Sequence, residues 1–286
     1  MTPLRLAAAA AALVLSATAA LADTLYFSAI PDEDATALTA RFSKVADYLS
    51  DRLGVPVQFV PVKSYPAAVT AFTNDQVQLA WFGGLTSVQA RLKNPGATSI
   101  AQGREDTAFV AYLIANTATG LQPADAFPQV ARGMSLTFGA KTSTSGRLMP
   151  EYHVRKETGE APEAFFGTVG YSGDHSQTLR LVASGAYQLG FLNYAVYDKA
   201  VADKAPEVET ARVVWKTPPF PDYNWVIRGD VDARFGPGFT QKVQDALVGM
   251  TDPDLLASFP REAFIPATNA EFAPIEQTAR ELGLLE

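Results

Sequence analysis

Between Phe138 and Gly146 the chain reads Phe-Gly-Ala-Lys-Thr-Ser-Thr-Ser-Gly. A short apolar run, Ser135–Phe138, leads into these hydroxyl residues, and a helix-compatible stretch, Arg147–Lys156, follows them. Ser and Thr at a helix start serve as N-caps, and the unpaired N–H groups of the first turn carry partial positive charge. Hydroxyls and N–H groups converging at one point make a site for a phosphate-like oxyanion. The same pattern also fits an ordinary capped turn, so Ser143, Thr144, Ser145 and Gly146 form an anion site only if other elements bring donors to meet them.

Other chemistries find less support. The chain has no cysteine, which excludes disulfides, thiol catalysis and zinc–thiolate sites. Its two histidines, His153 and His175, are far apart and lack an H-x-x-x-H pattern, so neither a metal nor a cofactor is expected. Ser143 or Ser145 with His175 and Asp174 could nominally supply a nucleophile, a base and an orienter. Yet adjacent side chains at 174 and 175 diverge, and no G-x-S-x-G elbow is present. A serine-dependent hydrolase is therefore the competing reading, and a non-catalytic binder is expected.

The elements that must position these residues alternate between strand and helix. Leu25–Ile30 reads as a strand. Asp34–Leu53 reads as a helix, with Leu38, Phe42, Val45, Leu49 and Leu53 at helical spacing and Gly54 after its end. Asp32, Glu33 and Asp34 are expected to cap that helix and complement its dipole. Further strands are expected at Val57–Val62, Leu79–Phe82, Ile100–Gln102, Phe109–Ala115, Ser135–Phe138, Phe165–Val169, Gln188–Leu192, Val213–Trp215 and Trp225–Ile227, most of them followed by helices. The early β-α succession suggests a parallel sheet with flanking helices. Asn116–Gln129 and Lys216–Pro221, rich in Gly, Pro and Thr or in Pro alone, look like crossovers. The expected architecture is α/β with two lobes, residues 23–116 plus 217–286 and residues 117–216, joined by two crossover segments around a ligand cleft.

Arg5, the apolar run Leu6–Leu15 and Ala20-Leu21-Ala22 have the form of a signal peptide over residues 1–22, cleaved after Ala22. The run is short for a membrane span, and no later stretch reaches the ~20 apolar residues needed. An uncleaved anchor is the alternative; export to a bacterial periplasm is the expectation. The net charge of −7 and the lack of a Lys/Arg cluster argue against nucleic acid or anionic lipid as partners.

In a parallel sheet the loops after the strands share one edge. Here they carry Pro31-Asp32, Ser64-Tyr65, Gly83-Gly84, Thr142–Gly146, Ser172–Ser176 and Asn193-Tyr194. Hydroxyls, glycines and helix starts without clustered cations suit an anion held by dipoles and hydrogen bonds. Tyr65 could instead pack beside Pro66, and His175 could simply cap a helix. Trp81 and Phe82 read as core, leaving the Gly83 N–H as the ligand candidate of that loop.

Ser64-Tyr65-Pro66-Ala67-Ala68-Val69, Leu79-Ala80-Trp81-Phe82-Gly83-Gly84, Thr142-Ser143-Thr144-Ser145-Gly146 with Pro150, and Gly173-Asp174-His175 occur in this order. The set resembles the substrate-binding proteins of phosphate/phosphite/phosphonate-type ABC transporters, which have a type II periplasmic binding fold. The opening Ser28-Ala29-Ile30-Pro31-Asp32-Glu33 and the Trp-Phe-Gly-Gly loop are similar to a subgroup labelled as selenate-transporter binding proteins. An arsenite-binding branch uses cysteine, which this chain lacks. The resemblance implies that Ser143, Thr144 and Ser145 hold the oxyanion, that Tyr65 donates its phenol from the first lobe and that His175 approaches from the second. Asp174, Asn193, Gly83 and Gly146, read from the cleft-edge loops, complete the candidate ligand set. Two departures stand out: Ser176 replaces the carboxylate that pairs a ligand ammonium, and Phe109 or Val110 replaces a crossover tyrosine. Both favour a compact, amine-free oxyanion.

Asp174 then bears on ligand choice. A fully ionised sulfate or selenate is repelled by a carboxylate in the cleft, whereas phosphite, phosphate or methylphosphonate can donate a P–O–H to it. If Asp174 faces solvent, selenate stays open. The expected protein is a monomeric receptor delivering its ligand to an ABC permease, or alternatively to a periplasmic sensor kinase.

Overall fold

A computed structural model describes residues 23–285, so the expected signal peptide lies outside the described residues. The chain forms two sheets. The first takes strands from both ends of the described chain: β1 (Leu25–Ala29), β2 (Val57–Phe59), β3 (Leu79–Phe82), β4 (Thr98–Gly103), and later β10 (Asn224–Ile227) and β11 (Phe264–Pro266). The second is built from the middle: β5 (Ala111–Asn116), β6 (Ser135–Phe138), β7 (Thr168–Tyr171), β8 (Leu189–Asn193) and β9 (Ala211–Lys216). Their strand orders are β11-β4-β10-β3-β1-β2 and β7-β6-β8-β5-β9.

Local chemistry sets these elements. The helix Ala35–Leu53 starts where the Asp34 carboxylate accepts from the N–H groups of Thr36 and Ala37, and ends at Gly54 in the left-handed region (φ 68°). Its buried stripe of Leu38, Phe42, Val45, Leu49 and Leu53 covers the first sheet, where Phe42 meets Phe27 edge-on with centroids 5.9 Å apart. Burying each such side chain contributes roughly 1.5–3 kcal/mol. Phe138 and Phe191 stack at 5.8 Å in the core of the second sheet.

Three expectations change. The first sheet is mixed rather than parallel, because β10 runs antiparallel to both β3 and β4. The strand expected at Phe165–Val169 begins three residues later, since Pro162–Phe165 forms a helical turn with Pro162 at its start. Most important for the cleft, β5 pairs with β8 and β9, so it belongs to the second sheet and not to a lobe ending at residue 116. The chain therefore first crosses between sheets at residues 104–110, and Asn116–Gln129 lies beyond the crossing.

It returns through 217–223, antiparallel to the first crossing. Phe109 and Phe220 exchange backbone hydrogen bonds of 2.9 Å in both directions. Thr217 N–H donates to Ala111 O at 3.0 Å, and Ala111 N–H donates to Thr217 Oγ1 at 3.0 Å. These two hydrogen-bonded segments form the joint beneath the cleft.

Candidate functional site

The turn Thr144–Leu148 opens wider than an α-helix and runs into the helix Met149–Thr158. Ser143 caps it by accepting the Gly146 N–H at 2.9 Å. The N–H groups of Thr144 and Ser145 open the turn, at positions where a helix has no acceptor to offer. Gly146 is there for fit: an added Cβ would lie 2.9 Å from Ser143 Oγ and 3.1 Å from both Gly139 Cα and His175 Cε1. Its N–H is taken by Ser143 and its carbonyl by Gly139 N–H, so both backbone groups of Gly146 are engaged in shaping the turn.

His175 is fully buried at the start of the helix His175–Ala183. Its Nδ1 accepts the Asn193 N–H at 3.2 Å, so in the neutral ring Nε2 carries the proton, and that atom has no partner. Burial holds the imidazole neutral, with its pKa lowered to about 3. Because a backbone N–H and not a carboxylate orients the ring, and Nε2 bears the hydrogen, the imidazole offers no base to Ser143 or Ser145. The triad geometry of a hydrolase is not assembled here.

Besides Thr142 Oγ1 in the crevice beside Tyr65, five sealed polar atoms lack a partner in this region: Asp32 Oδ1, Tyr65 Oη, Ser145 Oγ, His175 Nε2 and Asp222 Oδ2. They belong to one cluster. Tyr65 feels Asp32, Ser143, Asp222 and Asp174, and Asp222 feels the hydroxyls of Thr144 and Ser145. The His175 N–H donates to Asp32 O at 3.0 Å. Buried polar groups are almost always paired, so a concentration of orphans marks a place where a ligand completes them.

Two of the five are carboxylate oxygens that the sequence reading did not assign to the site. Asp222 Oδ1 accepts the Gly84 N–H at 2.9 Å, Oδ2 has no well-formed hydrogen bond, and burial outweighs the nearby Thr144 and Ser145 hydroxyls and pushes its pKa up to about 7. Asp32 does not cap the first helix as expected; Asp34 does. Instead Asp32 is 4% exposed, with burial first and Glu33 second raising its pKa to about 6. Tyr223 joins them. Asn193 Nδ2 donates to the Tyr223 oxygen at 3.1 Å, which leaves the phenolic hydrogen for Asp32. The Tyr223 ring stacks on Trp81 at 5.4 Å. So a tyrosine does stand at the crossing, on the second segment rather than at Phe109 or Val110 of the first.

The side chains of other expected ligand residues have partners within the protein. Thr144 Oγ1 accepts the Leu85 N–H at 3.0 Å across the cleft. Asn193 spends its oxygen on Ala195 N–H at 2.7 Å and its amide on Tyr223. A Cβ on Gly83 would lie 3.1 Å from both Asp222 Oδ1 and Thr144 Oγ1, so glycine permits this close approach. Asp174 accepts the Gln177 N–H at 2.6 Å as a helix cap. Its half-buried carboxylate lines an outer crevice of about 630 Å³ with Lys141, Thr142, Arg180 and the edge of Tyr65. The carboxylate question posed for Asp174 therefore passes to Asp222 and Asp32. Ser176 borders a separate surface groove with Ala37, Arg180 and Val196.

Comparison with known proteins identifies the family and the fold. The model of the family described as "ABC transporter, phosphonate, periplasmic substrate-binding protein" matches residues 27–272. A probable ABC transporter phosphite-binding protein, PhnD1 of Prochlorococcus marinus, is 35% identical over 90% of this chain and 89% of its own. The solved structure of that organism's PhnD1 in complex with methylphosphonate superposes with a TM-score of 0.87, at 34% identity, covering 91% of this chain and 98% of that one. A phosphonate-transporter binding protein from Pseudomonas aeruginosa, 19% identical, shares the fold at a TM-score of 0.78 over 89% of this chain and 85% of its own. The architecture is that of type II periplasmic binding proteins, and the chain belongs to the periplasmic substrate-binding proteins of phosphonate ABC transporters.

Proposed function

We propose that this receptor captures a compact phosphorus oxyanion, phosphite or a short alkylphosphonate such as methylphosphonate, together with one proton. The observation that carries the reading is the pair of unpartnered carboxylate oxygens, Asp222 Oδ2 and Asp32 Oδ1, among the donors Tyr65 Oη, Ser145 Oγ and His175 Nε2. Donors alone would suit any tetrahedral anion. A carboxylate beside them requires a shared proton, from a P–O–H on the ligand or from the carboxylic acid itself. Sulfate and selenate bring no such proton and bind only at the cost of protonating the carboxyl itself, so the site favours phosphorus oxyanions that carry a P–O–H.

Five or six charge-assisted hydrogen bonds, each contributing roughly 1.5–3 kcal/mol, support micromolar or tighter binding after ordering costs. Tyr65, Ser145, His175, the Thr144 and Ser145 N–H groups and Asp222 would make them. Donors come from both lobes, so the ligand stabilises the closed state and Thr144 locks it. The mature receptor, cleaved after Ala22, would then deliver its cargo as a monomer to an inner-membrane ABC permease. Calorimetric titration against phosphite, methylphosphonate, phosphate, sulfate, selenate and 2-aminoethylphosphonate tests the reading. Heat with phosphite or methylphosphonate and none with sulfate or selenate is expected; no heat with any phosphorus oxyanion would refute it.

A further inference from the structure

Arg261 is buried to 6% exposure beneath the interlobe joint, yet it belongs to neither crossing segment. Its guanidinium forks onto Asp106 in the first crossing, with Nε to Oδ2 at 2.8 Å and Nη2 to Oδ1 at 2.7 Å. Nη1 donates to Phe259 O at 2.7 Å and to Pro260 O at 3.2 Å, which ties the group to its own loop. The same cation lies 5.5 Å from the ring centroids of Phe109 on the first crossing and Tyr223 on the second. Asp106 is completely buried, and its Oδ2 also accepts the Gly103 N–H at 3.0 Å. Its carbonyl accepts the N–H of Asp222 at 3.0 Å. A continuous set of contacts thus runs from Arg261 through Asp106 to the backbone of Asp222.

A buried ion pair gains little for stability over apolar residues of the same volume, because both charges must be stripped of water. Its value lies in direction. The planar fork fixes Asp106 in two dimensions, and lysine, a flexible point charge, cannot do the same. Asp222 needs such fixing, since its carboxyl must meet a ligand oxygen in the geometry of one shared proton.

We propose that Arg261 is a positioning residue for ligand binding, clasping both crossing segments so that Asp222 is held toward the ligand through Asp106. This rests on the reading of Asp222 as a ligand contact. The clasp sits at the pivot, where Arg261 borders a small cavity with Asp32, Asn193 and Tyr223.

A double-mutant cycle on methylphosphonate affinity tests it, with calorimetry for Kd and circular dichroism for folding. Arg261→Lys should weaken binding at least tenfold in the native background, and less than twofold further in an Asp222→Asn background. An unchanged Kd for Arg261→Lys overturns the proposal, as does a full tenfold loss in both backgrounds, which would mark a general structural role. If Asp222→Asn alone leaves Kd within twofold of native, the ligand-contact reading fails instead, whatever Arg261→Lys does, and the clasp loses its object. Should Arg261→Lys not fold, the neutral pair Asp106→Asn with Arg261→Gln takes its place in the same cycle. Failure of both to fold also overturns the proposal, because the pair would then be holding the fold itself.

Discussion

Replacing Asp222 by Asn separates stability from binding in a way the geometry makes quantitative. The buried carboxyl has its pKa raised from 3.8 to about 7, mainly by loss of water. A group whose folded pKa is raised keeps its proton in the folded state between those values. Its stabilising contribution is therefore complete below pH 3.8 and is lost as the pH rises through 7. Every tenfold change in proton affinity is worth about 1.4 kcal/mol, so the ionised side chain costs the empty receptor about 4 kcal/mol at pH 8. Asparagine keeps an oxygen for the Gly84 N–H and never ionises. Chemical denaturation of ligand-free protein should find Asp222→Asn more stable than the native chain by under about 1 kcal/mol at pH 4 and about 4 kcal/mol at pH 8. The same change removes a charged acceptor and should weaken methylphosphonate binding by about 1.5–3 kcal/mol, while relieving the rejection of sulfate. A stability gap that does not grow with pH, or an unchanged sulfate affinity, would refute the reasoning.

Other expectations follow from the same cluster. His175→Ala should weaken binding by about 1–3 kcal/mol through loss of the Nε2 donor, as read by calorimetry. Since the His175 pKa is lowered to about 3, its contribution to stability is present above pH 6.5 and falls away as the pH drops below that value; His175→Gln should remove this acid sensitivity in thermal melts. Gly146→Ala should cost about 1–3 kcal/mol in stability, because its Cβ meets Ser143 Oγ at 2.9 Å and the His175 ring at 3.1 Å. Thr144→Val removes the acceptor for Leu85 N–H and should shift liganded protein toward an open form, seen as a larger radius of gyration in X-ray scattering.

The helix Ala35–Leu53 and the capped turn at Ser143 were legible in the sequence because their signals are local: apolar spacing, Asp34, Gly54 and the hydroxyl run. His175 and Tyr65 were nominated through motif context, and their buried, unpartnered atoms fit the proposed roles. The carboxylates were not. Asp32 stands in an acidic run that reads as a helix cap, and only its neighbour Asp34 acts as one. Asp222 follows a proline-rich segment, and nothing near it in sequence reveals that Gly84 and Asp106 hold it from far along the chain. The position of the first crossing was missed because β5, being almost wholly apolar, fits either sheet by pattern. Its pairing with β8 and β9 is a tertiary choice.

The central claim is that ligand and carboxylates share one proton, and the affinity for methylphosphonate as a function of pH tests it most directly. Above about pH 8 both the free ligand and the free site have lost that proton, so binding must take one up, and Kd should rise about tenfold per pH unit. An affinity unchanged between pH 7 and pH 9.5 would contradict the account, because the site would then hold the fully ionised anion without help from Asp222 or Asp32.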